Sequence, residues 1–69
     1  MTADQIVEAL AQARHDRELS LRVVAGLLGL QPSAVHHWER GRRDPQLTTV
    51  IAWANLLGYD LTLTPKESR

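Results

Sequence analysis

Two short amphipathic segments are separated by only three residues, Gly29-Leu30-Gln31, which leaves the chain little freedom in how they pack. Glycine adopts the left-handed conformation that ends a helix at low cost. Pro32 suits the first position of the next helix, where its missing N–H is not needed. With Ser20 as the cap of the first segment, the sequence predicts one helix over 21–28 and another from Gln31-Pro32-Ser33 to Gly41.

Two further helices are predicted on either side of this pair. The N-terminal one begins with Thr2 as its cap and ends in the polar run 14–18. The C-terminal one follows Asp44-Pro45, a dipeptide that disfavours helix at the aspartate, and runs from about residue 46 to 57. The apolar face of the first is formed by Ile6, Val7, Leu10 and Ala13, and that of the second by Leu47, Val50, Trp53, Ala54 and Leu57.

The pattern changes period after Gly58. Residues 59–64 alternate apolar and polar side chains, which is the signature of a half-buried strand, and Pro65 closes the run. A lone strand is not stable in water, so we expect it to pair with the same strand of a second copy across a two-fold axis. Tyr59, Leu61 and Leu63 would make that dimer contact. The alternative is an extended tail that lies on its own helices.

The sequence therefore divides into a helical domain over 1–58, a dimerisation strand over 59–65 and a frayed tail over 66–69. With 69 residues and no cysteine, the chain can build only a small core without disulfide support, which also favours dimerisation. No signal peptide and no run of 18 apolar residues is evident, so we expect a soluble, cytoplasmic protein with no membrane contact.

Charge is balanced over the chain but not along it. Eight Lys and Arg residues face eight Asp and Glu residues. The stretch HHWERGRR, residues 36–43, holds three arginines against one glutamate, a formal charge of +2. This local basic region could orient the molecule on a polyanion.

The stretch from Ser20 to Leu61, SLRVVAGLLGLQPSAVHHWERGRRDPQLTTVIAWANLLGYDL, resembles the Cro and lambda-repressor type of helix-turn-helix domain, also called the xenobiotic-response-element family. The resemblance extends over residues 6–59 and implies an all-α, four-helix fold. Its most specific positions are Ala25, Gly29, Val35, Trp38, Glu39, Gly41, Pro45, Leu57 and Gly58.

The resemblance implies that the helix after the turn enters the major groove of double-stranded DNA. It places base contacts on Ser33 and His37, and less strongly on Pro32 and His36. It implies an ion pair between Arg14 and Glu39, while Trp38 is expected to pack as a lid over the following loop. It implies phosphate contacts at Gln31, Arg40, Arg42 and Arg43. We add Ser20 and Arg22 to this set, as substitutes for a glutamine that the family pattern has and this chain lacks.

The helix before the turn departs from the family pattern. Leu21, Val23, Gly26 and Leu27 stand where polar residues and a phosphate-binding glutamine are usual, and Ser20 and Arg22 could partly replace that glutamine. Gly26 would be explained by the close approach of another backbone or helix. Val23 and Leu27 could dock a protein partner; alternatively, they enlarge the core or meet the C-terminal strand.

Two functions remain open at this point. The first is a homodimeric, sequence-specific transcriptional repressor on a palindromic operator; the segment LGYDLTLTP resembles that of HipB-like antitoxins, which implies a toxin as a possible partner. The second is a protein-interaction module on the same fold with weak or lost DNA binding. Adjacent histidines 36 and 37 cannot chelate one metal as an i, i+4 pair would, and no nucleophile relay is evident, so we expect neither metal, cofactor nor enzymatic activity.

Overall fold

The computed structural model describes residues 2–66 and contains four α-helices in that range. They are α1 (Ala3–Asp16), α2 (Leu21–Leu28), α3 (Pro32–Glu39) and α4 (Leu47–Leu56). The predicted all-α architecture is confirmed. α2 and α3 pack most extensively on each other, and α1 and α4 cover the pair.

The first two helices start at side-chain caps that the sequence predicts. The Thr2 hydroxyl accepts the Gln5 N–H at 3.2 Å, and the Gln5 side chain accepts the Thr2 N–H at 2.9 Å. The Ser20 hydroxyl accepts the Val23 N–H at 3.1 Å. Each cap stabilises its helix by about 1 kcal/mol because it satisfies an N–H that has no partner within the helix.

All four helices end in the same pair of backbone hydrogen bonds. After α2, Leu30 N–H donates to Ala25 C=O at 2.8 Å and Gly29 N–H donates to Gly26 C=O at 3.1 Å. This is the Schellman arrangement, and it requires the left-handed φ of 73° found at Gly29. Gly41 and Gly58 occupy the equivalent positions after α3 and α4, whereas Glu18 fills it after α1 with φ 56°.

The core lies between the four helices and is centred on Trp53, which is fully buried. The half-buried Trp38 ring lies 6.1 Å from the Trp53 ring, so Trp38 packs against the core of α4. One member of the predicted apolar face of α4 is not part of the core: Leu47 is 71% exposed and is the first residue of the helix, where a side chain leans toward the helix start. The buried apolar residues are Val7, Leu10, Ala13, Val24, Ala25, Val35, Val50, Trp53, Ala54 and Leu57.

The predicted C-terminal strand is not formed within residues 2–66. Residues 59–66 have no regular secondary structure, because a β ladder needs a second strand and the described part of this chain offers none. Leu61 is 38% exposed and Leu63 is 99% exposed. Of the predicted frayed tail, Lys66 is exposed, and residues 67–69 lie outside the described range.

The outer face of α2 is apolar and exposed. Val23 and Leu27 are exposed, so they do not enlarge the core. A Cβ atom built on Gly26 would meet nothing within 4 Å, so no other backbone in the described residues approaches it. The α2 face, defined by Val23, Gly26 and Leu27, therefore contributes little to the stability of this chain.

Replacing Gly26 with alanine is expected to raise the free energy of unfolding by about 0.5–1 kcal/mol, because alanine loses less backbone entropy in a helix interior. In a domain of this size the gain corresponds to a Tm increase of about 2–8 °C, measurable by thermal denaturation followed by circular dichroism.

Gly29→Ala is the matched control for this prediction. It makes the same chemical change at a position whose φ is 73°, so it should lower the Tm instead. A lower Tm for Gly26→Ala would show that Gly26 serves the packing of this chain after all.

Within the described part of the chain, no helix is long and apolar enough to cross a membrane.

Candidate nucleic-acid interface

A single guanidinium group connects the end of α1 to the end of α3. Arg14 Nε donates to Glu39 Oε2 at 2.8 Å, and its Nη2 donates to Glu39 Oε1 at 2.9 Å. Its Nη1 donates to the Leu19 carbonyl oxygen at 2.8 Å. Both charged side chains are about 10% exposed, so this bidentate pair is largely removed from water.

The electrostatics of the pair keep Arg14 charged. The hydrogen bond to Glu39 raises the pKa of Arg14 above its usual value, burial opposes that shift, and the negative charge of Glu39 adds to it. Arg14 Nη2 also lies 3.2 Å from His15 Nε2. Every part of the guanidinium group therefore has a partner, and α3 is held in a fixed position against the connection between α1 and α2.

The exposed side of α3 carries the first group of predicted contact residues. Ser33 and His37 are four residues apart, so they lie on one face of the helix. Together with Gln31 at the helix start and Arg43 in the following loop, they line one open cleft of about 390 Å³. The structure thus brings two predicted base-contacting residues and two predicted phosphate-contacting residues onto one surface.

A neighbouring depression holds two more of the predicted residues. His36 and Arg40, again four residues apart, line an open cleft of about 430 Å³ with Leu21 at the start of α2 and the Arg14–Glu39 pair. Pro32 is half-buried at the first turn of α3, and Ser20, Arg22 and Arg42 are exposed; none of these four borders either cleft.

The starts of α2 and α3 each have a polar side chain that can still hydrogen-bond to an anion. Gln31 precedes α3 without a side-chain capping hydrogen bond, so its amide is available. Ser20 uses a lone pair to accept the Val23 N–H, which leaves its hydroxyl proton able to donate to a phosphate oxygen. The partial positive charge of the α2 start favours such an oxygen.

Three features of this region are visible in the structure and could not be inferred from the sequence. Trp38 borders the cleft that holds Ser33 and His37, besides packing on Trp53. The Leu19 carbonyl and the His15 ring, which surround Arg14, have no signal in the sequence. The His36 and His37 ring centroids lie 6.1 Å apart, and the described residues contain no group of three or more metal-binding side chains.

Fold and site together define a small helical domain in which a tight turn joins two short helices, the second of which exposes polar side chains. A family model described as a helix-turn-helix domain matches residues 5–66, and the chain belongs to that family. Helix-turn-helix domains bind DNA. No curated protein and no solved structure gives a significant match.

Proposed function

We propose that this domain binds double-stranded DNA sequence-specifically as a homodimer on a palindromic operator and represses transcription in the cytoplasm, at the nucleoid. The observation that carries the proposal is the cleft on α3, where Ser33 and His37 lie beside Gln31 and Arg43. A surface that reads DNA needs base contacts flanked by phosphate contacts, and this cleft supplies both kinds of side chain.

The proposed base contacts follow from the chemistry of α3. Ser33 is exposed and can donate to or accept from several base edges, and a histidine ring can do either according to its tautomer. His37 and Ser33 are proposed as the main readers. His36 and Pro32 have lesser roles, because His36 faces the second depression and Pro32 is half-buried.

The proposed phosphate contacts surround these readers. Arg40 lies at the end of α3, and Arg42 and Arg43 lie in the exposed loop that follows; Arg22 is exposed in the first turn of α2. Four cations per protomer predict a slope of about −3.6 for the logarithm of affinity against the logarithm of salt, at 0.9 per phosphate. Ser20 and Gln31 add neutral contacts that fix the register of the protein on the duplex.

A selection from random DNA duplexes at low salt tests the proposal. We expect one enriched sequence with two-fold symmetry and half-sites about one helical turn apart. Arg42→Ala should reduce the salt slope per protomer by about 0.9, because one phosphate contact is lost. Arg17→Ala is the control, since Arg17 follows α1 and its guanidinium group lies beside Gly58 at the end of α4. If no duplex is enriched, DNA recognition by this domain is refuted.

The α2 face supports a second candidate function. Val23 and Leu27 are exposed apolar side chains, and Gly26 between them keeps the surface flat. We propose this face as the docking site for a protein partner, such as the toxin of a toxin–antitoxin pair in which this chain would also regulate its own operon. A protein-interaction module that no longer binds DNA would use the same face, and the duplex selection separates the two. Neither function needs a cofactor or a catalytic residue.

The domain organisation proposed for these functions follows the sequence. Residues 1–58 would form the DNA-binding domain, residues 59–65 the dimer contact through Tyr59, Leu61 and Leu63, and residues 66–69 a frayed end. Two of the three contact side chains are more than half exposed in the single chain, as expected for side chains that become buried only in a dimer.

A further inference from the structure

Two adjoining apolar grooves run between α1, α4 and the C-terminal segment. The first, of about 160 Å³, is bordered by Ala9 and Ala54. The second, of about 210 Å³, is bordered by Val50 and Leu47. Ile6 and Leu61 border both, so the two grooves form one continuous surface, which we call the α1–α4 groove.

The chain fills only part of this groove with its own tail. Leu61 lies at its edge and is 38% exposed, whereas Leu63, two residues later, is 99% exposed. Residues two apart in an extended segment point to the same side. Leu63 continues the alternation of Leu61 in the sequence, but its side chain lies outside the groove of its own chain.

One acidic residue outside the tail, Asp44, borders the groove, and the described tail itself carries Asp60 and Lys66. Asp60 borders the first groove and Asp44 the second, and neither groove is bordered by a basic residue. Lys66 is the charged residue that follows Leu63 in the described tail, three residues and about 10 Å further along an extended chain. A tail that buries Leu63 in such a groove can therefore bring Lys66 to an aspartate at its border.

We propose that the α1–α4 groove of each copy receives Leu63 from the tail of a second copy, with Lys66 of that tail paired to Asp44. The two tails cross once, so each copy gives one leucine and accepts one, as a two-fold axis requires. This inference rests on the proposed homodimer and names the surface that holds it together. Pairing of the two tails as strands is compatible with this exchange but does not by itself involve the groove.

Trans-complementation between two full-length variants tests the exchange. Leu63→Asp spoils the tail and leaves the groove intact, whereas Leu47→Glu spoils the groove and leaves the tail intact; both positions are exposed, so each variant should fold. Each variant alone should raise the dimer Kd, measured by sedimentation equilibrium. For Leu63→Asp the increase should be about a hundred-fold or more, since two buried leucines are lost per dimer. Mixed together, they should form a heterodimer with one intact contact, tighter than either homodimer.

A charge exchange tests the position of Lys66 independently. Lys66→Glu and Asp44→Lys should each raise the dimer Kd by about two- to thirty-fold, the range for two exposed ion pairs lost per dimer, and the double variant should restore it. Ile51→Asp, at an exposed apolar residue of α4 that borders neither groove, is the control for Leu63→Asp and should leave the dimer Kd unchanged.

Three results would overturn the proposed exchange of tails. A wild-type monomer at millimolar concentration, or a dimer unaffected by Leu63→Asp, overturns the proposal. Loss of the dimer in Leu63→Asp without complementation by Leu47→Glu would show strand pairing alone and also overturns it. Binding of the separated variants to a single half-site at low salt reports DNA recognition independently, so failure of the dimer contact and failure of the proposed function are distinguishable.

Discussion

Arg14→Met is expected to lower the free energy of unfolding by about 3–5 kcal/mol, because it leaves the Glu39 carboxylate without its cation in a site largely removed from water. The Leu19 carbonyl loses a donor in the same substitution. A natural domain has only about 5–15 kcal/mol of stability, and a small one lies near the lower limit, so the variant should be substantially unfolded at 37 °C. Urea denaturation followed by far-ultraviolet circular dichroism measures the loss.

Two controls separate the pair from a general effect of losing an arginine. Arg22→Met makes the same change at an exposed position on α2 and should alter the free energy of unfolding by no more than about 0.5 kcal/mol. The double variant Arg14→Met with Glu39→Leu should recover most of the stability, because neither change then leaves an unpaired charge. A loss below about 1 kcal/mol for Arg14→Met alone would contradict the structural role of the pair.

Replacing Arg40, Arg42 and Arg43 together with alanine is expected to weaken DNA binding by about 500-fold per protomer at 0.1 M salt. The value follows from three lost phosphate contacts, each of which contributes about 0.9 to the slope of log affinity against log salt. The loss should be the same on the selected operator and on a scrambled duplex, because phosphates carry no sequence information. Fluorescence anisotropy on both duplexes measures it, and circular dichroism confirms that the variant is folded.

His37→Ala should behave differently in the same assay. It should weaken binding to the operator by about 1–3 kcal/mol, relax the preference at one or two base pairs, and leave the scrambled duplex almost unaffected. Arg17→Ala should change neither duplex. Equal losses on both duplexes for His37→Ala would show that His37 contacts the phosphate backbone of the DNA. Ser33 would then be the principal candidate for base contacts.

Most of the fold is predictable because local chemistry fixes where each helix begins and ends. Ser20 and Gly29 determine the limits of α2 through hydrogen bonds that span no more than five residues. Leu47 shows where periodicity fails: it fits the apolar face of α4, but it stands at the helix start, beyond the core. The tail shows a second failure, because alternation predicts which side chains share a face and cannot supply the strand that they would pair with.

The candidate site is predictable to a similar degree. The spacing of Ser33 and His37 places them on one side of α3, and the structure adds Arg43 to the same cleft. That Arg43 returns to this cleft depends on the turn at Gly41, which spacing along a helix does not describe. The contact between Arg14 and the Leu19 carbonyl was not predictable, since it depends on the left-handed conformation of Glu18.

The position of Arg14 has a consequence for how such a chain can evolve. Its guanidinium group sets the distance between the connection that precedes α2 and the end of α3, and it does so through hydrogen bonds of fixed length. Core residues such as Val24 and Val35 can therefore be exchanged for others of similar volume while the distance between these two elements stays constant.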